Sequence, residues 1–232
     1  MCDCYMLRQS ILQGPPMPVS KWIKSSVLCL TIAFAQCACV KNQVYSTARD
    51  SVISLEPGQL EAHGIAFITP STVTGQEEDK QTLASIFAEV LEKARPGIQV
   101  VSLPKTLSAI NSAGMADEYK QMYIDYRDTG IFKRELLNAV GKVTGVRYLA
   151  QLKLSDFMQL SKGRFSALGL RMFQTNQANI RLFLQIWDSQ KGTIAWEGTD
   201  EVNYSWETST EKPVTFRVIV EETAGNLIGK LP

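Results

Sequence analysis

Ile65–Leu103 reads IAFITPSTVTGQEEDKQTLASIFAEVLEKARPGIQVVSL, and its punctuation decides the fold class. Ile65 to Pro70 is a short apolar run closed by Gly64 and Pro70, the mark of a strand buried on both faces. From Gln76 to Ala94 the apolar positions Leu83, Ile86, Phe87, Val90, Leu91 and Ala94 recur at three- and four-residue spacing, which predicts an amphipathic helix. Glu77, Glu78 and Asp79 sit near its positive end, Lys93 and Arg95 near its negative end, and Pro96-Gly97 stops it. Ile98 to Leu103 then reads as a second strand. Strand, helix and strand with short links imply a right-handed parallel crossover.

Downstream, Lys105 to Ser112 and Asp117 to Asp128 have helical spacing, the latter with an aromatic stripe at Tyr119, Tyr123 and Tyr126. Buried packing explains such a stripe, and so does a partner surface. Ile131 to Val143 is a further helix, with Gly145 where a left-handed C-cap is wanted, and Tyr148 to Leu154 is a third strand. Asp156 to Asn179 is irregular and reads as either a long hairpin or a loop; Phe165, Leu168, Met172 and Phe173 on it are candidate partner contacts. Asn179 to Trp187 alternates cleanly, Asp188 to Gly192 is a hairpin turn, Thr193 to Glu197 returns, Asp200 to Trp206 continues outward, and a last helix opens at Pro213. The expected fold is α/β: one domain from 65 to 232, a mixed sheet with a parallel crossover and a C-terminal antiparallel hairpin, and helices covering the sheet.

Upstream, Lys41 to Gly64 is polar, has a Pro57-Gly58 turn signal and lacks a period, so 39–64 reads as a tether. Before it, Met17 to Val40 is MPVSKWIKSSVLCLTIAFAQCACV: two lysines, an apolar run and a close of small residues and cysteines, as in a secretory signal peptide. The apolar run is about half of the roughly 20 residues a membrane span needs. Residues 1–38 therefore read as a leader, with translation starting either at Met1 or at Met17. All five cysteines, Cys2, Cys4, Cys29, Cys37 and Cys39, lie in the first 39 residues, so the domain has no internal disulfide.

Charge and motifs narrow the function. The first 36 residues hold three of the 24 Lys and Arg and one of the 23 Asp and Glu, which leaves the rest near −1 and gives no electrostatic case for nucleic acid. The single histidine, His63, falls in the tether and reads as a solvated residue; neither a metal centre nor a Cys-His pair can be assembled, and no dinucleotide-type glycine loop calls for a cofactor. The chain reads as no enzyme, with a carboxylate-dependent hydrolase built on Asp156 and Asp188 as the remote alternative.

A cysteine ending a signal peptide resembles bacterial lipoproteins, in which a cysteine at the cut carries the lipid, including palmitate. Cys39 follows a small residue, Ala38, and is the preferred site; Cys37, with apolar Phe34 three back, is the alternative. The order IAFITPS, long helix, IQVVSLP, GIFKRELLNAVGKVTGVRYLAQLKL, IRLFLQIWDSQKGTIAWEG and closing helix is similar to outer-membrane lipoproteins of the curli-secretion type. It also resembles the amino-terminal domain of the Tol-Pal β-propeller protein and lipoprotein activators of peptidoglycan synthases, over Ile65 to Lys230. The resemblance implies a non-catalytic binding or assembly factor on the periplasmic face of the outer membrane, held in the membrane by its lipid and joined to an envelope protein partner. An oligomeric secretion channel subunit is the alternative, though the long hairpins of that family are absent unless Asp156 to Ile186 serves as a shortened version.

Overall fold

The computed structural model describes residues 43–72, 76–167, 170–208 and 215–232. Strand β3 (Ile65–Phe67) is buried throughout and has parallel neighbours on both sides: β5 (Val100–Val101), through Ile65↔Val100, and β6 (Tyr148–Ala167), through Ile65↔Tyr148 and Phe67↔Ala150. Helix α2 (Glu77–Ala94) makes the crossover from β3 to β5, as the apolar spacing predicts. The second strand is shorter than Ile98 to Leu103, because Ser102 is already the N-cap position of helix α3 (Leu103–Ser112). Pro104 explains the stop: it has no N–H for a ladder and its fixed φ suits the first turn of a helix.

Two further helices, α4 (Ala116–Thr129) and α5 (Arg134–Thr144), lead back to the sheet. Gly145 ends α5 with φ 72°, the left-handed cap expected of it. The chain then runs through β6, β7 (Leu170–Asp188) and β8 (Thr193–Thr208), all antiparallel. Asp156 to Asn179 is hairpin rather than loop, paired out to Ala167↔Leu170, and the strands expected at Thr193–Glu197 and Asp200–Trp206 are one strand. Helix α6 (Phe216–Ile228) closes the fold; its N-cap is Thr215, whose hydroxyl accepts from the Val218 amide, and Pro213, where the sequence placed its opening, lies outside the described residues.

The polar segment expected as a tether belongs to the sheet instead. Strands β1 (Gln43–Ser46) and β2 (Arg49–Val52) both pair antiparallel with β8, through Val44↔Tyr204 and Ser51↔Glu197. The Ser54 amide donates to the Ala195 carbonyl at 2.9 Å, and Leu55 with Leu60 of helix α1 (Gln59–His63) is buried in the core. These edge strands are held by backbone bonds and expose their side chains, so they carry no hydrophobic period to read. The strand order is β1-β8-β7-β6-β3-β5, with β2 also on β8 and the short β4 (Ser71–Thr72) on β6.

Each face of the sheet has its own core. Tyr148, Ala150, Leu152 and Leu154 of β6 and Ala178, Ile180, Leu182, Leu184 and Ile186 of β7 meet α2 and α6. Ala66, Ile68, Leu149 and Trp187 meet α3, α4 and α5 on the other side. The nine-residue stretch Ala178–Ile186 thus buries every second residue against two helices, each large side chain stabilising by roughly 1.5–3 kcal/mol.

A charged pair joins the two cores at their common end. The Asp188 carboxylate accepts from Arg147 Nη2 at 2.7 Å and from the Gln190 and Lys191 amides at 3.0 and 3.2 Å. Burial works against its ionisation, but the Arg147 hydrogen bonds and the two backbone amides outweigh it and hold the carboxyl below the usual range. Ser189, next in the turn, packs on α5 so closely that a Cβ added at Gly141 would lie 2.9 Å from the Ser189 Cβ.

Two outcomes follow for urea unfolding. Asp188→Ala strands the half-buried Arg147 and lowers stability by about 3 kcal/mol. In the native protein the Asp188 contribution is complete above its unfolded pKa, about 3.9, and is lost as pH falls through the lower folded value. An Asp188→Ala protein as stable as the native one at pH 7 contradicts this. Gly141→Ala forces α5 away from the turn and costs about 1–3 kcal/mol; an unchanged urea midpoint would show that the contact relaxes freely.

Candidate functional site

The two connections around β3, from β3 to β5 and from β5 to β6, run over opposite faces of the sheet. From β3, α2 leads along one face to β5 on one side, while α3, α4 and α5 return over the opposite face to β6 on the other. In parallel sheets such a switch point leaves a crevice beyond the carboxyl end of the strand, because the two connections diverge there. A cleft of about 810 Å³ occupies that position. Thr69, Pro70, Ser71 and Thr72 form its lip directly after β3, Lys80 of α2 and Lys153 of β6 flank it, and Lys120, Tyr123, Tyr126 and Arg127 of α4 make its far wall. Tyr126 and Lys153 also border a second hollow of about 410 Å³ over the open sheet face, with Gln151, Phe183, Gln185 and Glu197.

The tyrosine stripe builds the wall between helix and sheet. The Tyr119 hydroxyl accepts from the Thr69 amide at 3.0 Å and lies 3.2 Å from the Tyr123 hydroxyl, so it ties the lip to α4. Tyr123 donates at 3.5 Å to Gln151, a buried amide whose nitrogen donates to Ser71 Oγ and to the Leu152 carbonyl. Tyr126 stacks on Phe132 with centroids 4.2 Å apart, and its hydroxyl donates to Gln185. Phe132 meets Trp187 edge-on at 5.2 Å. Burial is the leading cause that raises the Tyr119 and Tyr126 phenols and pushes Tyr123 well above the ordinary tyrosine value, so all three stay protonated and act as hydrogen-bonding groups.

Of the residues singled out from sequence, Tyr119, Tyr123 and Tyr126 are therefore brought together, but turned toward the core: Tyr119 is buried, and only Tyr123 and Tyr126 reach the cleft. Leu168, Cys37 and Cys39 lie outside the described residues, as do the side chains of Phe165, Met172 and Phe173. Asp156 and Asp188 are not joined: they stand at opposite ends of the body's part of the hairpin, eight residues along the strand register and roughly 25 Å apart. His63 ends α1, exposed, and contributes its carbonyl to the Arg147 amide. Among the described residues no three His, Cys, Asp or Glu side chains converge as metal ligands, and no helix is long and apolar enough to cross a membrane.

Sequence reading missed the cleft residues Lys80, Lys120 and Lys153, which come from three separate elements. The one local signal was Gln151 inside the apolar run Leu149-Ala150-Gln151-Leu152, an amide where burial demands partners. The set can bind, through cations, hydroxyls and amides. Its chemistry offers hydrogen bonds and positive charge, and its phenols are poor bases.

Neither the known protein families nor the curated proteins include a match to the chain. Among solved structures, the PelC dodecamer from Paraburkholderia phytofirmans is similar over 81% of this chain and 97% of its own, at 12% identity and a TM-score of 0.46. Lipoprotein GNA1162 from Neisseria meningitidis is similar over 72% and 98% of the two chains, at 13% identity and a TM-score of 0.42. The LpoB C-terminal domain from Salmonella enterica is similar over 60% and 82%, at 14% identity and a TM-score of 0.33.

Proposed function

We propose that the chain is an exported bacterial lipoprotein, anchored through Cys39 or Cys37 to the periplasmic face of the outer membrane, whose α/β domain is a non-catalytic binding and assembly factor for another envelope component. The observation that supports it above all is the confinement of every cysteine to the first 39 residues, with Cys37 and Cys39 directly behind Lys21, Lys24 and an apolar run too short to span a bilayer. Several acyl chains on one cysteine hold a protein to a membrane where a single chain would not. The hairpin formed by β6 and β7 gives such a factor an arm, since residues 158–167 of β6, beyond Phe157 at the edge of the core, reach about 33 Å.

That arm also supports a second reading, a channel subunit. Membrane-spanning strands need about 9–11 residues, and β6, β7 and β8 run for 20, 19 and 16. Size measurement of the detergent-solubilised protein separates the two: a large ring favours the channel, a monomer the adaptor.

The intact mass of the protein from bacterial membranes is expected to begin at an acylated Cys39 or Cys37, and the Cys37→Ala, Cys39→Ala double variant to lose its lipid. A full-length, unacylated chain in the membrane fraction defeats the anchor. Replacing residues 163–174 by an Asn-Gly turn joins Lys162 to its ladder partner Thr175 and shortens the arm without touching either core. The expected result is an unchanged unfolding midpoint with at least about tenfold less partner recovered on crosslinking in the envelope. Equal recovery removes the arm from the binding surface.

A further inference from the structure

The cleft beyond β3 has a charge that its surroundings do not explain. Four cationic side chains, Lys80, Lys120, Arg127 and Lys153, line it together with no carboxylate among the described lining residues, although the chain as a whole is nearly neutral. They come from α2, α4 and β6, so this is a convergence produced by the topology and not the solvated face of one helix. Lys80 and Arg127 have exposed partners in Glu77 and Asp128, at 3.4 and 3.1 Å, weak solvent-screened pairs readily exchanged for a ligand. Among the described residues Lys120 has no ion pair and Lys153 has only the Phe183 ring, 5.9 Å from its Nζ. Like charges gathered in a concave, partly desolvated site raise the local concentration of anions.

Size and lining narrow the anion. About 810 Å³ is far more than one inorganic ion fills, and the cations stand on three walls, which suits several negative groups spaced along one molecule. Apolar anchors, which protein segments need for tight docking, are scarce: the cleft offers Pro70 and Ile124. Hydroxyls and aromatic rims are present instead, with Ser71 and Tyr123 inside, Tyr126 where the two hollows meet and Phe183 in the second hollow, where Asp50 and Glu197 also stand. A chain that carries carboxylates, hydroxyls and flat ring faces matches this better than an acidic peptide does.

We propose that the crevice at the carboxyl end of β3 binds an acidic oligosaccharide, its carboxylates meeting Lys120, Lys153, Lys80 and Arg127 and its sugar rings lying toward Tyr126 and Phe183. The proposal does not depend on the anchor, since it concerns the folded domain alone. It gives the binding factor a carbohydrate ligand besides any protein held by the arm.

Calorimetric titration of the detergent-solubilised full chain with a short oligogalacturonate tests it, against a neutral cello-oligosaccharide, a polyglutamate of matched charge and sodium phosphate. Binding of oligogalacturonate alone, weakening as salt is raised, is expected. The Lys120→Glu, Lys153→Glu double variant should lose about 10- to 100-fold in affinity. Lys105→Glu, on α3 away from the cleft, should leave it unchanged. Should the double variant not fold, as judged by its unfolding transition, Lys120→Gln with Lys153→Gln carries the same expectation at about tenfold. No oligogalacturonate binding, binding indifferent to these substitutions, or equal binding of polyglutamate or phosphate overturns the proposal. A lipid-free protein that still binds oligogalacturonate would separate this result from failure of the anchor.

Discussion

The contact on which the remaining structure depends is the ion pair of Arg147 and Asp188, because four elements end at it. Arg147 precedes β6, and Asp188 ends β7 and, by accepting from two amides of the next residues, shapes the turn into β8. The Arg147 amide donates to the carbonyl of His63 at the end of α1, its carbonyl accepts from the Ser189 amide, and Ser189 bears on Gly141 in α5. Hydrophobic residues of the right volume could hold such a junction as firmly. A carboxylate that must find one guanidinium and two amides also excludes neighbouring registers, and that selectivity is what this position requires.

Register matters because the two faces of the sheet meet different helices. With Tyr148 opposite Asp188, the even positions of β6 and β7 fall toward α2 and α6, and a slip of one residue would exchange the cores. The irregularity between Leu154 and Asp156 changes the phase once. Beyond it Phe157, at an odd position, packs edge-on against Phe216 of α6 at 5.1 Å, so the same face of the sheet stays covered while the side-chain parity reverses.

Much of this architecture was legible. The α2 spacing, the strand IAF, the cap at Gly145 and the turn at Asp188 are local signals, each decided within a few residues. β1 and β2 were not legible, since strands bound by backbone at an exposed edge look like tether, and the long hairpin was ambiguous because its register shifts break the alternation. The tyrosine stripe announced a packed face but not which surface it met. The cleft could not be read at all, for its cations lie at positions 80, 120, 127 and 153 and are gathered only once β3 becomes the switch point.

One strand face nevertheless carries a trace of where the cleft opens. On the side of β6 that faces α4 and α5, Leu149 is buried among apolar side chains, Gln151 is buried but needs Tyr123 and Ser71, and Lys153 is exposed. On β7 the same side passes from buried Trp187 through Gln185 and Phe183 to Arg181, paired in the open with Glu201. The change from apolar to amide to cation within a few residues marks the line where the helical cover ends and a doubly covered sheet becomes a singly covered one. A binding site needs both a rigid floor and access to solvent, and along this line the packed core supplies the first while the missing layer supplies the second. The cleft lies there because the three helices that return over that face are too short to cover strands of this length.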